Sequence, residues 1–135
     1  MEQFVVNIIH RPELSPEYAE KAIGKGANVQ DESLDIFLFQ QECAHKYGLK
    51  TTIQITYASL FSDEIVRLAK EHNRIYGDEI GLSLLGLPCK QFKDKYKTED
   101  FCIWMFDDDT KRQIVDDVFG LFYQKFGFYP QSTGS

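Results

Sequence analysis

Two polar side chains follow the first apolar run of the chain, and a run of carboxylates precedes its last long helix. His10 and Arg11 stand at the end of the run Phe4–His10, where an imidazole and a guanidinium suit a hydroxyl or carboxylate ligand. Residues 107–109 are all Asp, and two carboxylates in one pocket can act as acid and base. Acids before a helix also cap its free N–H groups, so a structural interpretation stands beside the catalytic one. Asp107 directly follows an aromatic stretch and is the member that we expect in a site.

Other candidate ligand contacts are polar or aromatic and lie at predicted strand ends or in a long connection. Gln54 and Thr56 alternate near the end of a β-branched run, so they share one face of a strand, whereas Tyr57 points to the other. Trp104 is the only tryptophan, and it is either an aromatic platform for a ligand or a hydrophobic plug for its own loop. The predicted substrate-binding residues are Thr56, Tyr57, Ser83, Trp104 and Gln131.

A recurring helix-to-strand joint predicts how these residues are positioned. Each copy ends a helix-like segment with a basic residue, an aromatic residue and a glycine, namely Gly48, Gly77 or Gly127. Such a joint combines a left-handed glycine cap with a cation near the negative end of the helix. Repeated joints of this kind predict an α/β fold in which parallel strands alternate with helices. The predicted strands are Phe4–His10, Thr51–Tyr57, Glu79–Leu85 and Phe128–Ser135.

The predicted helices separate these strands, and one connection is unusually long. Ser33 is a good N-cap for a helix to Tyr47, Ser62 caps the next helix, and the last begins at Asp109 or Thr110. The interval 86–108 exceeds the other connections, and long connections in compact domains are usually functional. Ligands of such folds bind at the carboxyl ends of the strands. We therefore expect all the candidate side chains to converge at that edge of the sheet.

The length of the chain limits the architecture. Its 135 residues predict one domain, 1–135. Four strands and three helices are close to half of an eight-unit barrel, which typically needs about 250 residues. We expect a partial (β/α) barrel, the N-terminal half of a TIM-like barrel truncated at its C-terminus. The open edges of such a sheet would meet the missing half or a second copy of the chain.

Composition excludes several classes of protein. A net charge of −6 argues against a nucleic-acid binder, and the chain lacks the run of roughly twenty apolar residues that a membrane span needs. No signal peptide is evident, and three cysteines without a CxxC spacing favour a reducing, cytoplasmic location. No nucleotide-binding, Ser-His-Asp or HExxH signature occurs, so no cofactor is predicted. His45 and His72 are interpreted as surface or helix-end residues.

The segment around the third predicted strand resembles a known family. Gly77–Leu84 reads Gly-Asp-Glu-Ile-Gly-Leu-Ser-Leu, which is similar to the pattern Gly-His-Glu-Ile-Gly-Asn-His-Thr of polysaccharide deacetylases, the NodB-like (β/α) barrels. Pro12 after the first strand and Phe128-Tyr129-Pro130 after the last helix extend the resemblance. It implies a bacterial carbohydrate-active barrel of the glycoside hydrolase or deacetylase type. Family members bind a metal through one Asp and two His.

The metal ligands of that family do not carry over to this chain, so no metal is predicted. The Asp pair of the first strand falls at Ile9 and His10, and the two His fall at Ser83 and Leu87. The resemblance leaves two functional hypotheses. In one, His10, Arg11 and Asp107 hydrolyse a glycan; in the other, a catalytically degenerate barrel binds a glycan or serves as an assembly module. A flavodoxin-like or receiver-like sheet is disfavoured, because strand one has no Asp pair and no phosphate loop is present.

Overall fold

The computed structural model describes residues 7–12, 32–84, 89–98 and 103–134. Within these ranges, helices alternate with strands along most of the chain. The strands are β1 (Ile9–His10), β2 (Thr52–Thr56), β3 (Glu79–Ser83) and β4 (Thr133–Gly134). The helices are α1 (Glu32–Lys46), α2 (Asp63–Tyr76), α3 (Lys90–Tyr96) and α4 (Asp108–Phe126). Short 3-10 turns cover Ala58–Phe61 after β2 and Ile103–Met105 before α4.

The four strands form one parallel sheet in the order β1-β2-β3-β4. Ile53 of β2 pairs with His10 on one side and with Ile80 on the other, and Thr56 pairs with Ser83 at the carboxyl edge. The predicted α/β class and the parallel strand direction are therefore confirmed, and the strands lie in the order in which they occur along the chain. Parallel neighbours need a crossover between them, and the described helices α1 and α2 lie in the connections before β2 and β3.

The glycine joints are present as predicted. Gly48, Gly77 and Gly127 have φ angles of 69°, 73° and 83°, the left-handed conformation that favours glycine. The Gly77 N–H donates to the Asn73 carbonyl at 3.0 Å, and the Gly127 N–H donates to the Tyr123 carbonyl at 2.7 Å. Each joint satisfies a free carbonyl of the last helical turn and turns the chain towards the next strand.

The two faces of the sheet differ in polarity. Ile53 and Ile55 of β2 share a face with their partners in β3, and all four helices contribute buried side chains to the cluster on that face. The opposite face of the same strands carries Gln54, Thr56 and Ser83, which are also buried. Parallel sheets with helices on both sides are apolar on both faces. The described sheet departs from that pattern, because one of its faces is apolar and the other is polar.

Some predicted boundaries were wrong. The last strand was predicted over Phe128–Ser135, but β4 is only Thr133–Gly134, because Pro130 lacks the N–H that a ladder needs. Helix α4 begins at Asp108, one residue before the earlier predicted start, and the long connection contains α3. Of the first predicted strand, residues 4–6 lie outside the described part of the chain, and so does Leu87. No helix in the described ranges has both the length and the apolar character that crossing a membrane requires.

Candidate functional site

Thr56 and Ser83 pair at the carboxyl edge of the polar face, as predicted. The Thr56 hydroxyl and the Ser59 hydroxyl are 2.8 Å apart, and Ser59 donates to the Pro12 carbonyl at 2.6 Å. The Ser59 N–H in turn donates to Thr56 Oγ1 at 3.3 Å. This closed set of hydrogen bonds fixes the residues after β1 and β2 to one another, so Thr56 has a structural role at the edge.

A row of polar and small residues crosses the same face two residues before the carboxyl edge. Arg11 donates through Nε to Gln54 Oε1 at 3.4 Å, and Gln54 is the register partner of Gly81. A side chain at Gly81 would place its Cβ 2.5 Å from Ser132 Oγ, so the glycine leaves room for that hydroxyl. Ser132 Oγ is buried and has no hydrogen-bond partner among the residues that the structure describes. Buried hydroxyls usually have a partner, so Ser132 is an unusual feature of this row.

The predicted catalytic residues are not brought together in the described part of the structure. His10 and Arg11 are consecutive in an extended segment, so they face opposite sides of the sheet. Arg11 contacts Gln54 on the polar face, whereas His10 Nδ1 lies 2.7 Å from Gln41 Oε1 of α1. His10 also pairs with Ile53, which lies nearer the amino-terminal than the carboxyl end of β2. His10 is thus the last residue of β1, as predicted, but its side chain faces α1 and lies level with the first half of β2.

Asp107 is the N-cap of α4. Its Oδ1 accepts a hydrogen bond from the Thr110 N–H at 2.9 Å, and its Oδ2 accepts one from the Thr110 hydroxyl at 2.8 Å. These two bonds from Thr110 lower the pKa of the exposed Asp107 carboxyl. The contacts of Asp107 thus match the capping interpretation of the acidic run.

The remaining predicted contacts divide between core and surface. Tyr57 is 4 % exposed and packs edge-on against Phe61 and Phe92, and burial is the main cause that raises its pKa to about 12. Tyr57 is therefore a core residue. Trp104 is 63 % exposed in the turn just before α4. Because α4 leads into β4, we expect the start of α4 at the carboxyl side of the sheet. Gln131 is exposed and lies two residues before β4, outside the strand in which it was predicted.

A second polar cluster lies at the amino-terminal edge of the sheet. Asp78 directly precedes β3 and is completely buried. His45, in the last turn of α1, places Nε2 2.7 Å from Asp78 Oδ2. His72, in α2, places Nδ1 4.0 Å from the same oxygen. The helix-to-strand joints position these three side chains, because α1 and α2 both end at the edge where β2 and β3 begin.

Gln41 and Thr51 fix the orientation of this cluster. The Thr51 N–H donates to Asp78 Oδ1 at 2.9 Å, and the Thr51 hydroxyl donates to Gln41 Oε1 at 2.8 Å. With its oxygen held in this way, Gln41 directs Nε2 towards Asp78 Oδ2 at 3.3 Å and His72 Nδ1 at 3.2 Å. Gln41 is fully buried, so each of its contacts is made in a water-poor environment.

Aromatic packing and an open cavity complete the cluster. The His45 ring stacks on Tyr76, with centroids 3.6 Å apart and planes inclined by 14°. Burial, followed by the neighbouring His45, lowers the pKa of His72. A cavity of about 490 Å³ opens beside both imidazoles, and Glu42, Lys46 and Leu38 also line it. Two imidazoles and a carboxylate are groups that can share a proton or act together as ligands of a metal ion.

The sequence interpretation missed this cluster. His45 does lie at a helix end, as predicted, but the side chains of His45 and His72 are only 8 % and 13 % exposed, and their approach to Asp78 was not predicted. The signal in the sequence was Asp78, the acid directly after the Gly77 cap. An Asp between the end of a helix and the start of a strand lies at the amino edge of the sheet, and the ends of α1 and α2 bring both histidines to the same edge.

A search of protein-family models, of curated proteins and of solved structures found no match to this chain. The fold and the two polar regions define its class as an α/β protein with a four-stranded parallel sheet, polar on one face and covered by helices on the other.

Proposed function

We propose that this chain is a carbohydrate-active module of the glycoside hydrolase or deacetylase barrel type, and that it binds a glycan on the polar face of its sheet. The observation that carries the proposal is the polar row of Gln54, Gly81 and Ser132 with the exposed Arg11 beside it, which runs from the residue after β1 across β2 and β3 to the residue before β4. A face built from polar and small side chains is unsuited to a covering layer of helices, whereas it is suited to the interior of a barrel that receives a polar ligand.

The chemistry of this row matches the hydroxyl groups of a sugar. A guanidinium donates several hydrogen bonds, a side-chain amide both donates and accepts, and the Ser132 hydroxyl has capacity left for a further bond. Trp104 adds an exposed ring on the carboxyl side, where ligands of parallel β/α folds bind. Convergent polar groups beside an aromatic surface are typical of small-ligand sites.

The resemblance to deacetylases further implies hydrolysis of the bound glycan. Among the described residues, however, His10 contacts Gln41 of α1 and Asp107 caps a helix. The contacts of the polar face therefore support binding more directly than turnover. We place glycan binding first and hydrolysis second, and the same experiment separates the two.

Calorimetric titration of the chain with a panel of neutral and N-acetylated oligosaccharides tests the proposal. Arg11→Gln and Trp104→Ala should each weaken binding by about tenfold, the equivalent of one good polar or stacking contact of about 1.4 kcal/mol. Arg67→Gln and Tyr123→Ala are matched controls, because these residues lie on α2 and α4 away from the polar face; both should bind as the wild-type chain does.

Two further readouts decide between the functions. Release of acetate or of reducing ends during the titration would identify hydrolysis, and binding without release would identify a binding module. Failure of every oligosaccharide to bind, or equal affinity of Arg11→Gln and the wild type, would refute the proposal.

A further inference from the structure

The amino-edge cluster brings together three side chains with the donor atoms of a metal site. The potential ligand atoms of His45, His72 and Asp78 all lie within 4.8 Å of one another. Two imidazole nitrogens with one carboxylate oxygen form a set that suits Zn²⁺ and related transition metals, whereas Mg²⁺ and Ca²⁺ prefer oxygen ligands alone. We infer that this cluster is a binding site for a divalent transition-metal ion, with Zn²⁺ as its best match.

The carboxylate is already held as a metal ligand would be. The Thr51 N–H occupies Asp78 Oδ1 at 2.9 Å, which leaves Oδ2 facing both histidines. The Asn73 side chain also donates to the Asp78 backbone carbonyl at 2.7 Å, so the residue is fixed at its main chain too. Ligating carboxylates in proteins are typically hydrogen-bonded through their second oxygen in this way.

The histidines are fixed by contacts that leave their ligand atoms directed into the cluster. Stacking on Tyr76 sets the plane of the His45 ring. Gln41 Nε2 lies 3.2 Å from His72 Nδ1, and in the tautomer that accepts from this amide the ring nitrogen directs its lone pair towards Gln41. A metal ion would replace the Gln41 N–H at that lone pair, and the amide would remain anchored through its oxygen to Thr51.

The geometry needs only a small adjustment to accept the ion. Ligand atoms around a tetrahedral zinc with bonds of about 2.1 Å are about 3.4 Å apart. The observed distances to Asp78 Oδ2 are 2.7 Å for His45 and 4.0 Å for His72, one shorter and one longer than this value. Zinc would also take the place of the proton in the His45–Asp78 hydrogen bond, so the pair would separate to the ligand spacing.

Access and a fourth ligand are provided by the neighbouring cavity. Its volume of about 490 Å³ admits a hydrated ion, and both histidines line it. Water or the Glu42 carboxylate on the cavity wall can supply the remaining position. The ion would cross-link α1, α2 and the residue before β3 at the amino edge of the sheet. This site is separate from the polar face on which glycan binding is proposed.

Metal titration of the chelator-stripped chain tests the inference. Zn²⁺ is titrated against a chromophoric chelator, and Co²⁺ is added separately to read its visible spectrum. We expect one Zn²⁺ per chain, an increase in the unfolding midpoint with zinc, and Co²⁺ bands of a four-coordinate site without a thiolate charge-transfer band. His72→Asn and Asp78→Asn should weaken zinc binding by at least about a hundredfold, since loss of an outer partner alone typically costs 10–100-fold.

The matched control is His10→Asn. His10 contacts Gln41 but not the proposed ion, so this variant should bind zinc within about threefold of the wild type. Cys43→Ser tests the exposed thiol on α1 and should also bind normally. Nitrogen-15 spectra of the wild-type imidazoles avoid any dependence on variant folding: zinc should produce coordination shifts in His45 and His72 but not in His10.

Three results would overturn the site: no stoichiometric zinc binding, undiminished binding in folded His72→Asn, or equal losses in His10→Asn and His72→Asn. Coordination shifts confined to His10, or a thiolate band with Co²⁺, would likewise place the ion elsewhere.

Discussion

The buried carboxylate of Asp78 should contribute a large share of the stability of this fold, even without metal. Its two oxygens accept hydrogen bonds from the Thr51 N–H, His45 Nε2 and Gln41 Nε2. These donors belong to α1 and to the residue before β2, so a single side chain connects a helix to two neighbouring strands. Asp78→Ala removes the acceptor for all three donors and leaves a void at a completely buried position.

The expected cost follows from the donors left behind. The Thr51 N–H belongs to a residue that is 3 % exposed, and an unsatisfied buried donor costs about 1–3 kcal/mol. Hydrogen bonds to a carboxylate contribute about 1.5–3 kcal/mol each, and Asp78 also accepts from His45 and Gln41. Gln41 keeps His72 as an acceptor, which limits the loss on its side. We therefore expect Asp78→Ala to lower the free energy of unfolding by about 3–4 kcal/mol, a large fraction of the usual 5–15 kcal/mol.

Urea unfolding followed by circular dichroism, with chelator present to exclude metal, measures this change. Asp78→Asn retains a carbonyl oxygen for the Thr51 N–H, so it should cost only about half as much. Asp116→Ala on the exposed side of α4 is the surface control and should stay within about 0.5 kcal/mol of the wild type. The slope of the transition should not change if the folded and unfolded states keep their compactness.

A loss of less than about 1 kcal/mol in Asp78→Ala would refute this stabilising role of the carboxylate, because a buried donor without a partner alone costs that much. Equal instability of Asp78→Asn and Asp78→Ala would also refute it, since the hydrogen bond from the Thr51 N–H would then contribute nothing to stability.

The remaining predictions concern packing, pH and association. Gly81→Ala should destabilise the fold by about 1–3 kcal/mol, because its Cβ would lie 2.5 Å from Ser132 Oγ, whereas Gly120→Ala in α4 has open space and should gain about 1 kcal/mol; the same urea assay decides, and similar effects at both sites would contradict the packing. Burial alone would raise the pKa of Asp117, but hydrogen bonds from Lys95 and Tyr96 outweigh it and lower the pKa below the ordinary 3.8. Stability from this group is thus fully present above that value and is lost as pH falls below it, so Asp117→Asn should flatten the acid limb of the stability curve, and an unchanged limb would count against it. The open edge strands predict concentration-dependent association by sedimentation, and a strict monomer at high concentration would argue against a half-barrel.

Local patterns in the sequence were sufficient to predict the fold. The three glycine caps require only a left-handed residue after a helix, a property of the residue itself, and the structure has that conformation at Gly48, Gly77 and Gly127. The alternation of β2 also followed from a period of two, which placed Gln54 and Thr56 on one face and Tyr57 on the other. Parallel order then followed, because helical connections between strands leave few alternatives.

The positions of the candidate site residues could not be obtained in the same way. Assigning His10 to the carboxyl edge assumed that β1 ends level with its neighbours, but the register sets His10 opposite Ile53, three residues before the end of β2. Which of His10 and Arg11 faces the polar side depends on that register, and a shift of one residue exchanges the faces. Register is a long-range property of strand pairing, so the sequence of one strand does not determine it.

The glycine caps predict the position of the amino-edge cluster (His45, His72 and Asp78) as well as the fold. When a helix ends at a glycine cap directly before a strand, its last turn lies at the edge of the sheet where that strand starts. Both α1 and α2 end in this way. Their histidines therefore meet Asp78, which follows one of those caps. In parallel folds this edge usually contributes to stability, and the carboxyl edge to ligand binding. A buried carboxylate with two imidazoles gives the stabilising edge a chemistry of its own, and the His10 and His72 variants distinguish a purely structural cluster from one that holds a metal ion.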